Sequence, residues 1–147
     1  VRIAAEDPDS PSARLLLAEL SAALQALTGD SGRSSFDPDD VRGPRAQFLV
    51  AYDAGNIPVA CGAVRPLDED RAEIKRMYAR PGSRAGQLVL AALESYARSV
   101  GYSSAALSTR RVNERALAFY ARHGYRETPP FGAYVTKPQS ICLGKPL

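Results

Sequence analysis

The sequence predicts a mixed α/β domain: a mostly antiparallel sheet with helices packed on both of its faces. Three observations predict it. Apolar residues recur at helical spacing near residues 11–27 and 88–100. Between these stretches lie three short β-type runs joined by tight turns, and a fourth run follows the second helix. The chain has 147 residues, 45% hydrophobic and 24% charged, which suits one folded domain over 1–147 rather than a disordered tail.

Val1 to Ala5 is a short apolar run that suits an edge strand. Asp7 to Ser12 is a turn in which Asp9 or Ser10 caps a helix and Pro11 takes its first position. That helix should run to about Leu27, with Leu16, Leu20, Leu24 and Leu27 on one face, and end at Gly29. Asp30 to Arg45 is rich in Ser, Asp, Gly and Pro, as expected of a solvated loop with a helical turn begun at Pro38. A loop of this length beside a site also shapes substrate access.

Gln47 to Tyr52 reads as a buried strand, Asp53-Ala54-Gly55-Asn56 as a hairpin turn, and Pro58 to Val64 as the returning strand. The small residues Ala60, Gly62 and Ala63 allow close packing on that strand. After a turn at Pro66 to Asp70, Ala72 to Ala79 carries Ile74, Met77 and Tyr78 among charges, the pattern of a half-buried strand. Pro81 and Gly82 end it. From Leu88 a second helix buries Val89, Leu93, Tyr96 and Val100. Ser104 to Ser108 is a core strand. Asn113 caps a helix carrying Ala116, Leu117, Phe119 and Tyr120 that stops at Gly124, and Ser140 to Leu143 is the last strand.

Composition narrows the function. No apolar run reaches membrane-spanning length, and no signal-peptide pattern is present, so a cytoplasmic protein with no membrane partner is expected. Cys61 and Cys142 are far apart and read as core thiols. A single histidine, His123, and the lack of a His/Cys cluster argue against a metal site. A net charge of +3 without a basic stripe or stacking aromatics argues against nucleic acid and suits a small anionic ligand. The strand-turn-helix unit from Arg71 to Glu94 is where such an anion would sit, on the free N–H groups of a helix start.

Glu73-Ile74-Lys75-Arg76-Met77-Tyr78, Arg80-Pro81, the Leu88–Glu94 helix and Gly101-Tyr102 follow one another in a characteristic order. Asn113, Ala116, Tyr120, Gly124 and Tyr125 then fit an N-x-x-A-x-x-x-Y-x-x-x-G-F/Y frame. Together with the tail from Pro129, these residues make the chain resemble the GCN5-related N-acetyltransferases, the GNAT superfamily, from about Gln47 onward. The resemblance implies that fold and acetyl transfer from acetyl-CoA to a primary amine of a small molecule or peptide, without a covalent enzyme intermediate. It implies that Met77, Tyr78 and Ala79 pair with pantetheine beside a bulge. It also implies that Arg84, Ala85, Gly86 and Gln87 hold the pyrophosphate, with Asn113 a helix cap that also contacts the cofactor. Tyr120 matches the family's general acid and so also meets the cofactor's sulfur. Glu73 matches the base, the alternative being a carboxylate paired with Lys75, with Arg76 or with a substrate cation. Arg65, Lys75 and Arg76 form a basic rim for an acceptor bearing a carboxylate or phosphate, or else a solvated strand face. Many relatives dimerise, so a homodimer is an expected partner state, and the Ala-, Arg- and Pro-rich composition looks bacterial.

One stretch departs from the family pattern. Ser83-Arg84-Ala85-Gly86-Gln87 is about three residues short for a turn that curls round a diphosphate. Either the turn is truly short and cofactor binding is weakened, or the sequence lacks residues of a longer, glycine-rich loop. Two functions therefore stand: an acetyl-CoA-dependent N-acetyltransferase, and a GNAT-fold module that binds another ligand without catalysis.

Overall fold

The apolar runs pair into one seven-stranded sheet in the computed structural model, which describes residues 1–147. In chain order the strands are β1 (Arg2–Ala5), β2 (Gln47–Tyr52), β3 (Pro58–Pro66), β4 (Arg71–Ala79), β5 (Ser104–Arg110), β6 (Arg126–Glu127) and β7 (Ser140–Pro146). Their order in the sheet is β1-β2-β3-β4-β5-β7-β6. Every pair is antiparallel except β4 and β5, which need a crossover because parallel neighbours cannot be joined by a hairpin.

The crossover is α2 (Gly86–Ser99). It packs with α3 (Glu114–Arg122) on one face of the sheet, where Val89, Leu90, Leu93, Ala97 and Tyr120 join Leu49, Ile74 and Leu107 in the main core. The opposite face is covered by α1 (Pro11–Thr28), whose Ala13 and Leu16 pack with Phe48, Val50, Cys61 and Ala63. The expected mixed sheet with helices on both faces is therefore present. No helix is long and apolar enough to cross a membrane.

Local chemistry explains the helix ends. Ser10 caps α1 by accepting the Ala13 amide, Pro11 sits in the first turn, and Gly29 closes the helix in the left-handed region (φ 79°). Two details differ from the sequence expectation. Leu27 is 50% exposed and Leu24 faces a cleft, so the buried stripe of α1 is Ala13, Leu16, Leu20 and Ser21. Leu27 lies on the same helix face as Leu16, about 20° away round the axis, so its exposure reflects its place in the last turn, beyond the buried stretch that stops at Ser21. In α2 the helix starts two residues before Leu88, and Leu88 points outward while Leu90 and Ala97 are buried. Both cysteines are buried free thiols.

Gly62 shows why β3 carries small residues. A Cβ there would lie 2.4 Å from Met77 Sδ, 2.9 Å from Leu93 Cδ1 and 3.1 Å from Val89 Cγ1. The missing side chain lets α2 press onto the sheet opposite the irregular part of β4. Replacing Gly62 by Ala is expected to destabilise the fold by about 1–3 kcal/mol through overpacking. Urea unfolding would show it as a lower midpoint with an unchanged slope.

Candidate active site

The parallel pairing of β4 with β5 covers only Arg71–Glu73 against Ser104–Ala106. Beyond that the two strands part. On the β3 side, Lys75 pairs with Ala63 and Tyr78 with Cys61, so Arg76 and Met77 together oppose Gly62. This is a bulge, and an extra residue on one strand bends it and increases its twist. Arg76 takes up the bend in the left-handed region (φ 55°), a conformation that costs a non-glycine residue about 1–2 kcal/mol. Its guanidinium holds the bend in place by donating to Ser21 Oγ at 2.7 Å and Ser31 O at 3.4 Å, with Phe36 alongside.

The gap leaves backbone groups without strand partners. Arg80 N–H donates to Val59 O at 2.8 Å, toward β3. Strand alternation therefore turns the amides of Ala79 and Met77 to the other edge, facing the gap. The Met77 side chain packs into the core over Gly62, while the Tyr78 hydroxyl donates to Glu19 Oε1 at 3.0 Å on the α1 side. Only the backbone of Met77–Ala79 thus serves the gap. The connection 80–85 then delivers the chain to α2. Ala85 and Gly86 are buried against the core, Gly86 beside Ala79 and Phe119, while Arg84 and Gln87 are exposed. Arg84 also sits in the left-handed region (φ 57°) and forms no ion pair. The amides of Gly86 and Gln87 carry no backbone partner, as expected of a helix start, and remain open to an anion.

A cleft of about 190 Å³ occupies the gap. Its walls are Ile74–Met77 of β4, Leu107–Arg110 of β5, and Asn113, Ala116 and Tyr120 at α3. Asn113 caps α3 by accepting the Ala116 amide at 3.2 Å. Tyr120 is the buried residue of α3, held edge-on between Phe119 and Tyr125. Burial pushes its phenol well above the ordinary value of 10, so it stays protonated at any physiological pH. His123 lies at the other end of α3, against Phe119.

The cleft continues under the loop after α1, where Asp30, Gly32, Ser34 and Ser35 line it, so the loop does border the site. Here β4 carries charge inward rather than to solvent. Glu73 is 3% exposed, with Arg65 Nη1 at 3.4 Å and Lys75 Nζ at 3.8 Å. The Lys75 side chain is 9% exposed and donates to Ser35 O. Burial raises the Glu73 carboxyl above its usual range, an effect partly offset by Lys75 and Arg65. Burial likewise lowers Lys75, offset by Glu73. Of the three cations expected at the rim, Arg65 and Lys75 flank Glu73, and Arg76 is committed to Ser21 and Ser31.

Sequence reasoning missed Tyr134 and Lys137. They lie in a 3-10 turn, Gly132–Thr136, and just after it, within a stretch whose prolines and glycine read only as breaks. Both line the cleft, and Lys137 Nζ stands 5.7 Å from the Tyr134 ring centre. Asp30 and Arg110 were also missed, and they close the cleft with an ion pair of 2.8 Å across 80 residues. The two aromatics of this segment, Phe131 and Tyr134, were the available signal.

A splayed β4–β5 pair, free β4 amides, a helix start beside them and a tyrosine across the gap define an acyl-CoA N-acyltransferase type of protein. The comparisons agree. The Acetyltransferase (GNAT) family model matches residues 14–125. The "IAA acetyltransferase" of Azospirillum brasilense is 32% identical over 151 aligned residues, covering 100% of this chain and 98% of that protein. A Klebsiella pneumoniae structure described as an acyl-CoA N-acyltransferase is 30% identical, with a TM-score of 0.83, over 99% of this chain and 97% of that one. An Elizabethkingia anophelis GNAT acetyltransferase solved with acetyl-CoA bound shares the fold at 16% identity and a TM-score of 0.71, over 99% and 97% of the two chains. The chain belongs to the GNAT acetyltransferase family and is an acyltransferase enzyme.

The raised Glu73 pKa gives a testable pH dependence. Its carboxyl binds a proton more tightly in the native state than in the unfolded chain. The associated stability is full below the unfolded value of 4.5 and is lost as pH rises through the raised native value. Glu73→Gln should therefore flatten the decline in unfolding free energy as pH rises above 4.5, measured by urea unfolding. A slope equal to that of the parent protein would show that Glu73 is not desolvated.

Proposed function

We propose that this chain transfers an acetyl group from acetyl-CoA to a primary amine of a small molecule or peptide, by direct attack in a ternary complex. The observation that carries the reading is the β4–β5 gap, with unpaired amides on one wall and Tyr120 on the other. The exposed edge of Met77, Tyr78 and Ala79 suits an extended, amide-bearing arm, which would add itself as a strand. Arg84 and the amides of Gly86 and Gln87 suit the pyrophosphate, with Ala85 contributing backbone alone. Asn113 stands at the same cleft as cap and contact.

The acceptor must attack as a neutral amine, whereas a lysine-like amine has a pKa of roughly 10.4. Glu73 takes the proton directly or through a water, and its raised pKa makes it a stronger base than a surface carboxylate. The amides facing the gap donate to the oxyanion of the tetrahedral intermediate. When that intermediate collapses, the leaving thiolate needs a donor, and Tyr120 carries its proton at working pH. A phenol is a weaker acid than a thiol, whose pKa is near 8.5, so Tyr120 acts first as a hydrogen-bond donor to the developing charge. Dependence on acetyl-CoA fits a reaction in the cytoplasm.

The short connection 80–85 favours one rival, a module whose cleft binds another ligand without catalysis. Calorimetric titration with acetyl-CoA and with CoA separates the two. Acetyl transfer requires binding in roughly the micromolar range, and absence of binding up to about 1 mM would remove it. Tyr120→Phe is expected to keep the CoA affinity and to lower kcat about 100-fold.

A further inference from the structure

We infer that the acceptor amine carries an anionic group, a carboxylate or its equivalent, received at the Lys137 end of the cleft. The inference rests on the acetyl-transfer reading and narrows its acceptor.

The charges lining the cleft are Lys75, Arg76, Arg110 and Lys137 against Glu73 and Asp30. Most are already spoken for. Arg110 pairs with Asp30 at 2.8 Å, Lys75 faces Glu73 at 3.8 Å, and Arg76 is held by Ser21 and Ser31. Lys137 forms no ion pair and acts on Asp30 only at longer range, although it lines the cleft wall and is half-buried. Its Nζ stands 5.7 Å from the Tyr134 ring centre, and Lys75 Nζ stands 6.0 Å from the same centre. An ammonium has three donors, and Lys75 commits one to Ser35 O, so further donors remain near that ring.

Two consequences follow from a cleft with surplus positive charge. A polyamine would bring more cations into a positive field that offers no free carboxylate, since Glu73 is flanked by Arg65 and Lys75. An acceptor with one amine and one carboxylate is attracted through the carboxylate. The same field favours the uncharged form of its amine, which is the form that attacks. Lys137 thus selects the acceptor, while Glu73 serves its amine.

The test compares phenylalanine, tyrosine and lysine with their decarboxylated forms, phenethylamine, tyramine and cadaverine. Affinities are measured by calorimetry, with and without CoA, on the parent protein and on Lys137→Met and Lys137→Arg. The expected result is tighter binding of each carboxylated member by about tenfold or more, a preference lost in Lys137→Met and kept in Lys137→Arg. Equal or reversed preference, binding of none of the six, or a preference untouched by Lys137→Met would each overturn the inference. These affinities do not depend on turnover. Carboxylate preference without acetyl-CoA binding would overturn acetyl transfer and leave the anion site standing.

Discussion

The site depends on one backbone constraint, the bulge at Arg76. Without it β4 would continue its parallel ladder with β5, and the amides that face the gap would be spent on sheet hydrogen bonds. The bulge inserts one residue against Gly62 and swings the strand end away from its neighbour. The sequence around it is arranged to tolerate this. Gly62 makes room for Met77 and Leu93, and Arg76 carries a side chain long enough to reach α1 and the loop beyond it. A left-handed arginine is locally unfavourable, and its hydrogen bond to Ser21 is of the charge-assisted kind, about 1.5–3 kcal/mol, which offsets the backbone term of about 1–2 kcal/mol. Its Nε remains buried without a partner, so the anchor is incomplete. Strain of this kind is typically found where a fold gives up regularity to open a site.

The charged cluster on β4 shows the same exchange of stability for chemistry. Glu73, Lys75 and Arg65 would cost least in water, yet Glu73 and Lys75 lie almost wholly covered. Their distances of 3.4 and 3.8 Å are loose for buried ion pairs, so attraction offsets desolvation only in part. The shifts record this, with the carboxyl raised and the ammonium lowered. A tighter pair would hold the chain better and lower the proton affinity of the Glu73 carboxylate.

Much of the fold was legible in the sequence because its signals are local. The Ser10-Pro11 start, the Gly29 stop, the hairpin at Asp53–Asn56 and the Asn113 cap each follow from the chemistry of one or two residues. The Glu73–Tyr78 run and the Asn113–Tyr125 frame were equally visible, and they placed Tyr120 and the β4 backbone at one cleft. What was not visible depends on contacts distant in sequence. The resemblance implied a bulge beside Met77–Ala79, but not that Gly62 opposes Arg76 and Met77 there, nor that Lys137 and Tyr134 come back beside β4. An alternating charge pattern on a strand does not reveal which face it turns inward. Here the covering loop from Asp30 to Phe36 decides, by burying Lys75 against Ser35.

The Tyr120 side of the cleft is braced differently from the Lys137 side. Glu94 of α2 is buried and accepts from Tyr125 Oη at 2.7 Å and from Lys145 Nζ at 3.1 Å. That carboxylate therefore joins α2, the segment after α3 and the last strand in one satisfied network. Tyr125 stands edge-on to Tyr120, and its amide donates to Tyr120 O at 3.0 Å. The helix whose start offers amides to an anion and the helix that carries the phenol are thus fixed to each other through Glu94. The proposed acetyl transfer would depend on this fixed relation, because Tyr120 would have to meet a sulfur held by groups on α2 and β4. The Lys137 end carries no comparable buried network. Its wall is a 3-10 turn and a polar loop, elements that vary readily while the sheet beneath them stays the same.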